Sequence, residues 1–146
     1  MSRELFTVGY EGKTVEGFIA DLLSKNIRCV LDVRRVPFSR KPGFSRGKLA
    51  RRLRLARIDY VHLPDLGTPK ALREQLNSSG DYSVFFERMN RYLGDKTDAI
   101  EEACRYVMNS RCCLMCFEQF AAQCHRKVVA EQIKVRGGNG LQIKHI

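Results

Sequence analysis

The chain has 146 residues, 44% hydrophobic and 29% charged, which suits one packed domain spanning 1–146 and excludes a disordered chain. No apolar run nears the roughly 20 residues of a membrane span, and the N-terminal stretch lacks the apolar core of a signal peptide. A cytoplasmic location with no membrane partner is therefore expected. The formal charge is +10, and the segment Arg34–Arg57 carries all of it, with ten basic residues and no acidic one; the other 16 of the 26 Lys and Arg residues are matched by 16 Asp and Glu. Charge gathered in this way makes a local positive field that attracts phosphates, so nucleic acid or another polyanion is the expected partner. A solvated helix face is the plainer alternative.

In chain order, Leu5–Gly9 is expected to be a first strand. Thr14 is placed as an N-cap, and Val15, Phe18, Ile19, Leu22 and Leu23 form the stripe of an amphipathic helix over 15–25. Cys29–Val33 is a continuous apolar run, broken only near its end by Asp32, of the kind found in buried parallel strands. A loop with Pro37, Pro42 and Gly43 leads to a helix near Ser45–Arg57, with Leu49, Leu53 and Ala56 turned inward and Lys48, Arg51, Arg52 and Arg54 outward. Asp59–Leu63 is the third strand.

Thr68 followed by Pro69 opens a short helix to about Leu76. After the break at Ser78–Gly80 comes a helix over Tyr82–Leu93, and then another from about Asp98 to Met108. Cys112–Phe117 is a fourth strand, 118–123 a loop, Cys124–Val135 a helix closed by Gly137 and Gly138, and Gln142–Ile146 a last strand. Alternating strands and helices predict an α/β three-layer sandwich around a mainly parallel sheet of about five strands. Ligands of such sheets bind outside the carboxyl ends of the strands, here near Tyr10, Glu11, Asp32, Arg34, His62, Pro64 and Cys116–Arg126.

The six cysteines (Cys29, Cys104, Cys112, Cys113, Cys116, Cys124) point to free thiols, metal ligands or redox chemistry rather than a disulfide scaffold, given a reducing compartment. Cys116 to Arg126 (CFEQFAAQCHR) is the most informative stretch. A thiol at the start of a helix is drawn toward its thiolate form, which makes Cys124 a candidate nucleophile. His125, Arg126 and Lys127 oppose the helix dipole unless an anion sits among them, so His125 and Arg126, with Arg34, are candidate anion ligands. Glu118 is placed to orient Arg126 or to act as a general base. The plain alternative is that Cys116 and Cys124 fill space while Arg126 pairs with Glu118.

Cys113, Cys116, Cys124 and His125 also supply four soft donors for zinc. Strand alternation, however, sends Cys113 and Cys116 to opposite faces, and adjacent residues of a helix diverge. The pattern is therefore not expected to close a metal site, and no cofactor is expected. No G-x-G-x-x-G or Walker-type loop is present, so a dinucleotide site is not supported. Lone His62 and His145 are expected to be structural.

Phe6–Gly12 (FTVGYEG), Leu31–Arg34 (LDVR) with Pro37 and Ser39, Tyr60–Pro64 (YVHLP) with Leu66 and Gly67, and Leu114–Glu118 (LMCFE) with Cys124–Arg126 (CHR) resemble the domain-of-unknown-function 488 family. That resemblance implies a compact α/β fold with a shared site of Asp-x-Arg, Cys-x-Glu and Cys-His-Arg elements, and implies no reaction. Many members of that family carry Gly-His-Ser where this chain has Gly9, Tyr10 and Glu11, so no histidine role passes to Tyr10. A fainter similarity to rhodanese-like domains rests on the Asp-Val-Arg strand end and the cysteine loop. The interval from Cys116 to Arg126 is too long for their active loop.

Three functions are compatible with these residues. The first is an enzyme acting on a nucleic acid or nucleotide, with Asp32, Glu118, Cys116 and Cys124 carrying the chemistry and Arg40, Lys41, Lys48, Arg51, Arg52 and Arg54 holding phosphates. The second is a non-catalytic nucleic-acid-binding module. The third is a thiol-dependent enzyme for a small sulfur or phosphate substrate.

Overall fold

Five short runs of the chain become strands, β1 (Arg3–Gly9), β2 (Cys29–Asp32), β3 (Asp59–His62), β4 (Cys112–Cys116) and β5 (Leu141–His145), in a computed structural model that describes residues 3–137 and 140–146. They form one sheet in the order β3-β2-β4-β1-β5, and every ladder is parallel. β2 and the central β4 are buried along their whole length, which is why β4 reads as an unbroken apolar run and β2 as one interrupted only by Asp32 at its end. The helices are α1 (Val15–Ser24), α2 (Arg46–Leu55), α3 (Lys70–Ser79), α4 (Tyr82–Gly94), α5 (Thr97–Asn109) and α6 (Arg126–Gly137).

From β1 to β2 to β3 the chain steps toward one edge of the sheet, and from β3 to β4 to β5 it steps back past its starting strand. Parallel crossovers are right-handed, so a reversal of direction puts the connecting helices on the opposite face. Two cores result. Phe18 and Leu22 of α1 and Leu49 and Leu53 of α2 pack on Phe6, Val8, Val30 and Met115. Met89, Leu93, Ile100, Val107, Val129 and Ile133 of α4, α5 and α6 pack on Leu5, Leu31 and Leu114. This is the expected three-layer α/β sandwich, with a wholly parallel sheet.

Thr14 caps α1 as expected, its hydroxyl accepting the Gly17 N–H at 3.0 Å. Two helix boundaries differ from the sequence reading. α3 starts at Lys70, after Pro69, and runs on to Ser79, because the backbone first turns left-handed at Gly80 (φ 68°). α6 starts at Arg126, because Cys124 is extended (φ −137°, ψ 142°) after a 3-10 turn at Ala121–Gln123. The expected closure of α6 by Gly138 falls outside the described residues. Among the described residues no helix is long and apolar enough to cross a membrane.

Candidate functional site

The loops after β1 and β2 lead to one face of the sheet and the loop after β4 to the other, which opens a crevice at their carboxyl ends. Backbone bonds close its base. Tyr10 N–H donates to Cys116 O at 3.0 Å, Glu11 N–H to Phe117 O at 2.8 Å, and Val33 N–H to Met115 O at 3.2 Å. The Glu11 carboxylate accepts the Gln119 N–H at 2.9 Å, tying the first loop to the fourth. Gly9 is required by this crossing, since a Cβ there would lie 1.6 Å from the Glu118 carbonyl oxygen.

Asp32 and Arg34 serve each other. Arg34 donates through Nε (2.9 Å) and Nη2 (2.7 Å) to the two oxygens of Asp32, and through Nη1 to Phe44 O (2.7 Å) and Tyr10 Oη (3.2 Å). Tyr60 Oη also donates to Asp32. Both partners are buried, so Asp32 is spent holding Arg34, and Arg34 in turn holds the 44 turn against Tyr10, whose ring stacks on Phe44 at 4.3 Å. Burial alone would lower the Arg34 pKa, but the bidentate bond to Asp32 holds it above its ordinary value. His62 Nε2 is bonded to Arg34 O at 2.7 Å.

Arg126, expected among the anion ligands, is fully buried and turned to the chain itself. Its guanidinium donates to Thr7 Oγ1 (3.2 Å), Glu118 O and Gln119 O (3.1 Å), clamping the loop after β4 from below. The carboxylate of Glu118 turns instead to Cys116, whose thiol donates to Oε2 at 3.2 Å.

Cys116, Cys124 and His125 converge, with their donor atoms within 4.8 Å of one another and all three side chains buried. His125 Nδ1 lies 3.6 Å from Cys116 Sγ and 3.7 Å from Cys124 Sγ, while Nε2 is 2.7 Å from Val33 O. A carbonyl only accepts, so Nε2 carries a hydrogen and Nδ1 is the atom turned to the sulfurs. The divergence expected of Cys124 and His125 presumed a helix starting at Cys124. Because that residue is extended, both side chains swing toward Cys116. Cys113 stays out of the cluster, as alternation demands, packing among the α1–α2 core while Cys116 belongs to the other.

The cluster divides its protons unequally. The hydrogen bond to Cys124, together with burial, pushes the Cys116 thiol up. Burial also opposes ionisation of Cys124, but the bond from Cys116, the His125 imidazole and the charge of Arg126 outweigh it and hold Cys124 below its ordinary value. The Arg126 N–H donates to Cys124 Sγ at 3.5 Å, the contact expected of a thiol ahead of a helix N-terminus. His125 is lowered by burial and raised by more through Cys124. Burial raises Glu118, and the negative charge of Cys124 adds to it.

Cys116, Glu118 and His125 line a cavity of about 400 Å³ whose other walls include Tyr10, Arg34, Phe38, Arg73, Tyr82 and Phe117. A second, larger groove of about 640 Å³ runs beside it, lined by Lys13, the first turn of α1, Lys41, Lys48, Arg51 and Arg52. One loop separates the two, with Val36, Phe38 and Ser39 facing the cavity and Lys41, Pro42 and Gly43 facing the groove. Arg40 and Arg54 are exposed and outside both linings. Arg52 bonds Glu16 at 3.3 Å, whereas among the described residues no carboxylate pairs with Arg40, Lys41, Lys48, Arg51 or Arg54.

Arg73, Asn77, Tyr82 and Phe85 on the cavity wall were not legible as site residues. They come from α3 and α4, and the one available signal was the meagre apolar stripe of α3, Leu72 and Leu76, on a helix that buries nothing.

The class of protein so defined is a parallel three-layer α/β domain whose carboxyl edge gathers Asp-x-Arg, Cys-x-Glu and Cys-His-Arg. The chain belongs to the DUF488 family, described as "Domain of unknown function DUF488", whose model matches residues 14–133. No curated protein and no solved structure matches the chain.

Proposed function

We propose that this chain is an enzyme acting on a nucleic acid or nucleotide, with phosphates held along the α1–α2 groove and the reacting group in the adjoining cavity. The observation that carries this reading is the wall the two share: residues 36–39 border the reactive cluster while residues 41–43 border a groove lined by five cations. A strand lying in the groove would run beside the cavity that Cys116, Glu118 and His125 line. The aromatic side chains at the cavity wall, Phe38, Tyr82 and Phe117, suit the faces of a base. Phe38 is 66% exposed and so leaves a ring face open to a base. Arg73 offers a cation inside the cavity, and Glu118, half-buried beside Cys116, is the group best placed to move a proton.

The test is binding of short single- and double-stranded oligonucleotides across a salt series, followed by assays of base release, strand cleavage and repair substrates. A steep fall of log K with log salt is expected. Turnover is expected in the native chain and lost in Glu118→Gln, with binding and melting temperature unchanged. No binding at low salt would remove nucleic acid from the reading. Full turnover in Glu118→Gln would remove the cavity as its active site.

A further inference from the structure

We infer that Cys116, Cys124 and His125 form a zinc site with three protein ligands, its fourth position open to the cavity at the carboxyl edge. The inference stands on the geometry of the cluster and holds whether or not the substrate is a nucleic acid. Zinc takes sulfur at about 2.3 Å and imidazole nitrogen at about 2.0–2.1 Å in tetrahedral array, which sets sulfur and nitrogen about 3.6 Å apart along an edge of the tetrahedron. The two separations here, 3.6 and 3.7 Å, match that edge.

The surroundings are those of a ligand set. A metal-bound histidine donates its other ring N–H to a carbonyl or carboxylate, which fixes the ring and the coordinating nitrogen. His125 does this through Nε2 to Val33 O, leaving Nδ1 facing both sulfurs. The Arg126 N–H donates to Cys124 Sγ, which favours a thiolate there. Two thiolates would balance a divalent zinc ion, the proton that Cys116 Sγ shares with Glu118 passing to that carboxylate and any proton on Cys124 leaving to solvent as the metal binds.

Three protein ligands with one open position is the arrangement of catalytic rather than structural zinc. Cys116 and His125 line the cavity and Cys124 lies behind them, so a fourth ligand must come from the cavity side. Glu118 is 3.2 Å from Cys116 Sγ yet outside the three-donor group, which puts its carboxylate next to a bound water rather than on the metal. Cys29 and Cys112 are register partners on adjacent strands, and among the described residues no histidine joins them.

The experiment needs no substrate. The full chain is stripped with a chelator, reduced with a non-thiol phosphine, checked by circular dichroism, and titrated with cobalt(II) and then zinc(II). One equivalent of cobalt is expected to produce a thiolate charge-transfer band and the intense visible bands of a tetrahedral site, which zinc then displaces. Cys116→Ser, Cys124→Ser and His125→Gln are each expected to weaken zinc binding by more than the ~10–100-fold typical of losing an outer partner. Cys112→Ser and Glu118→Gln should retain the bands. A folded native chain that gives no cobalt bands overturns the site without reference to any variant. Bands that survive Cys124→Ser, or that vanish in Cys112→Ser or Glu118→Gln, overturn the assigned ligands.

Discussion

Replacing Arg126 with Met separates a clamp from an anion site. Methionine keeps most of the unbranched stem and removes every donor, leaving Thr7 Oγ1, Glu118 O and Gln119 O without their shared partner. Hydrogen bonds to a charged group contribute about 1.5–3 kcal/mol each. Three of them are offset by the several kcal/mol needed to bury a guanidinium that, among the described residues, has no carboxylate partner. A net loss of about 3 kcal/mol is expected, which for a domain of this size lowers the melting temperature by about 6–12 °C. Circular dichroism melts measure it, and limited proteolysis should show new cleavage in 118–123 before global unfolding. An Arg126→Met chain that melts with the native one, and whose loop stays protected, would refute the clamp and return Arg126 to the role of a ligand for anions.

Three further perturbations follow from the same geometry. Gly9→Ala forces a Cβ against the Glu118 carbonyl, so it is expected to cost about 1–3 kcal/mol in a urea melt and to displace the Glu118 loop. Asp32→Asn leaves Arg34 buried without its counter-charge, and a loss of about 3–5 kcal/mol is expected, whereas a catalytic role for Asp32 would show lost turnover with stability intact. Replacing Lys48 and Arg51 together with Ala should flatten the log K against log salt slope for duplex DNA by about 2, with melting temperature unchanged, since neither pairs with a carboxylate among the described residues.

Much of the fold was written locally in the chain. The Val15, Phe18, Leu22 spacing after Thr14 dictates a capped amphipathic helix, and the apolar runs at Cys29–Val33, broken only by Asp32, and at Cys112–Phe117 dictate strands covered on both faces. Strand alternation alone was enough to keep Cys113 away from Cys116, and the basic run 34–57 was enough to foresee a cationic surface. These features depend on periodicity and composition, which neighbouring residues decide among themselves.

What tertiary structure decided was the partner of each polar side chain. Asp32 and Arg34 were read as candidates for chemistry, and they spend their donors and acceptors on each other because burial leaves no water to do so. The same necessity turns Arg126 onto the carbonyls of 118 and 119. Cys124 and His125 were expected to diverge, and they converge because Cys124 is extended after a 3-10 turn and α6 begins only at Arg126. The cavity wall from α3 and α4 was beyond reach of any local pattern, because it exists only once the long β3–β4 connection has folded back over the edge of the sheet.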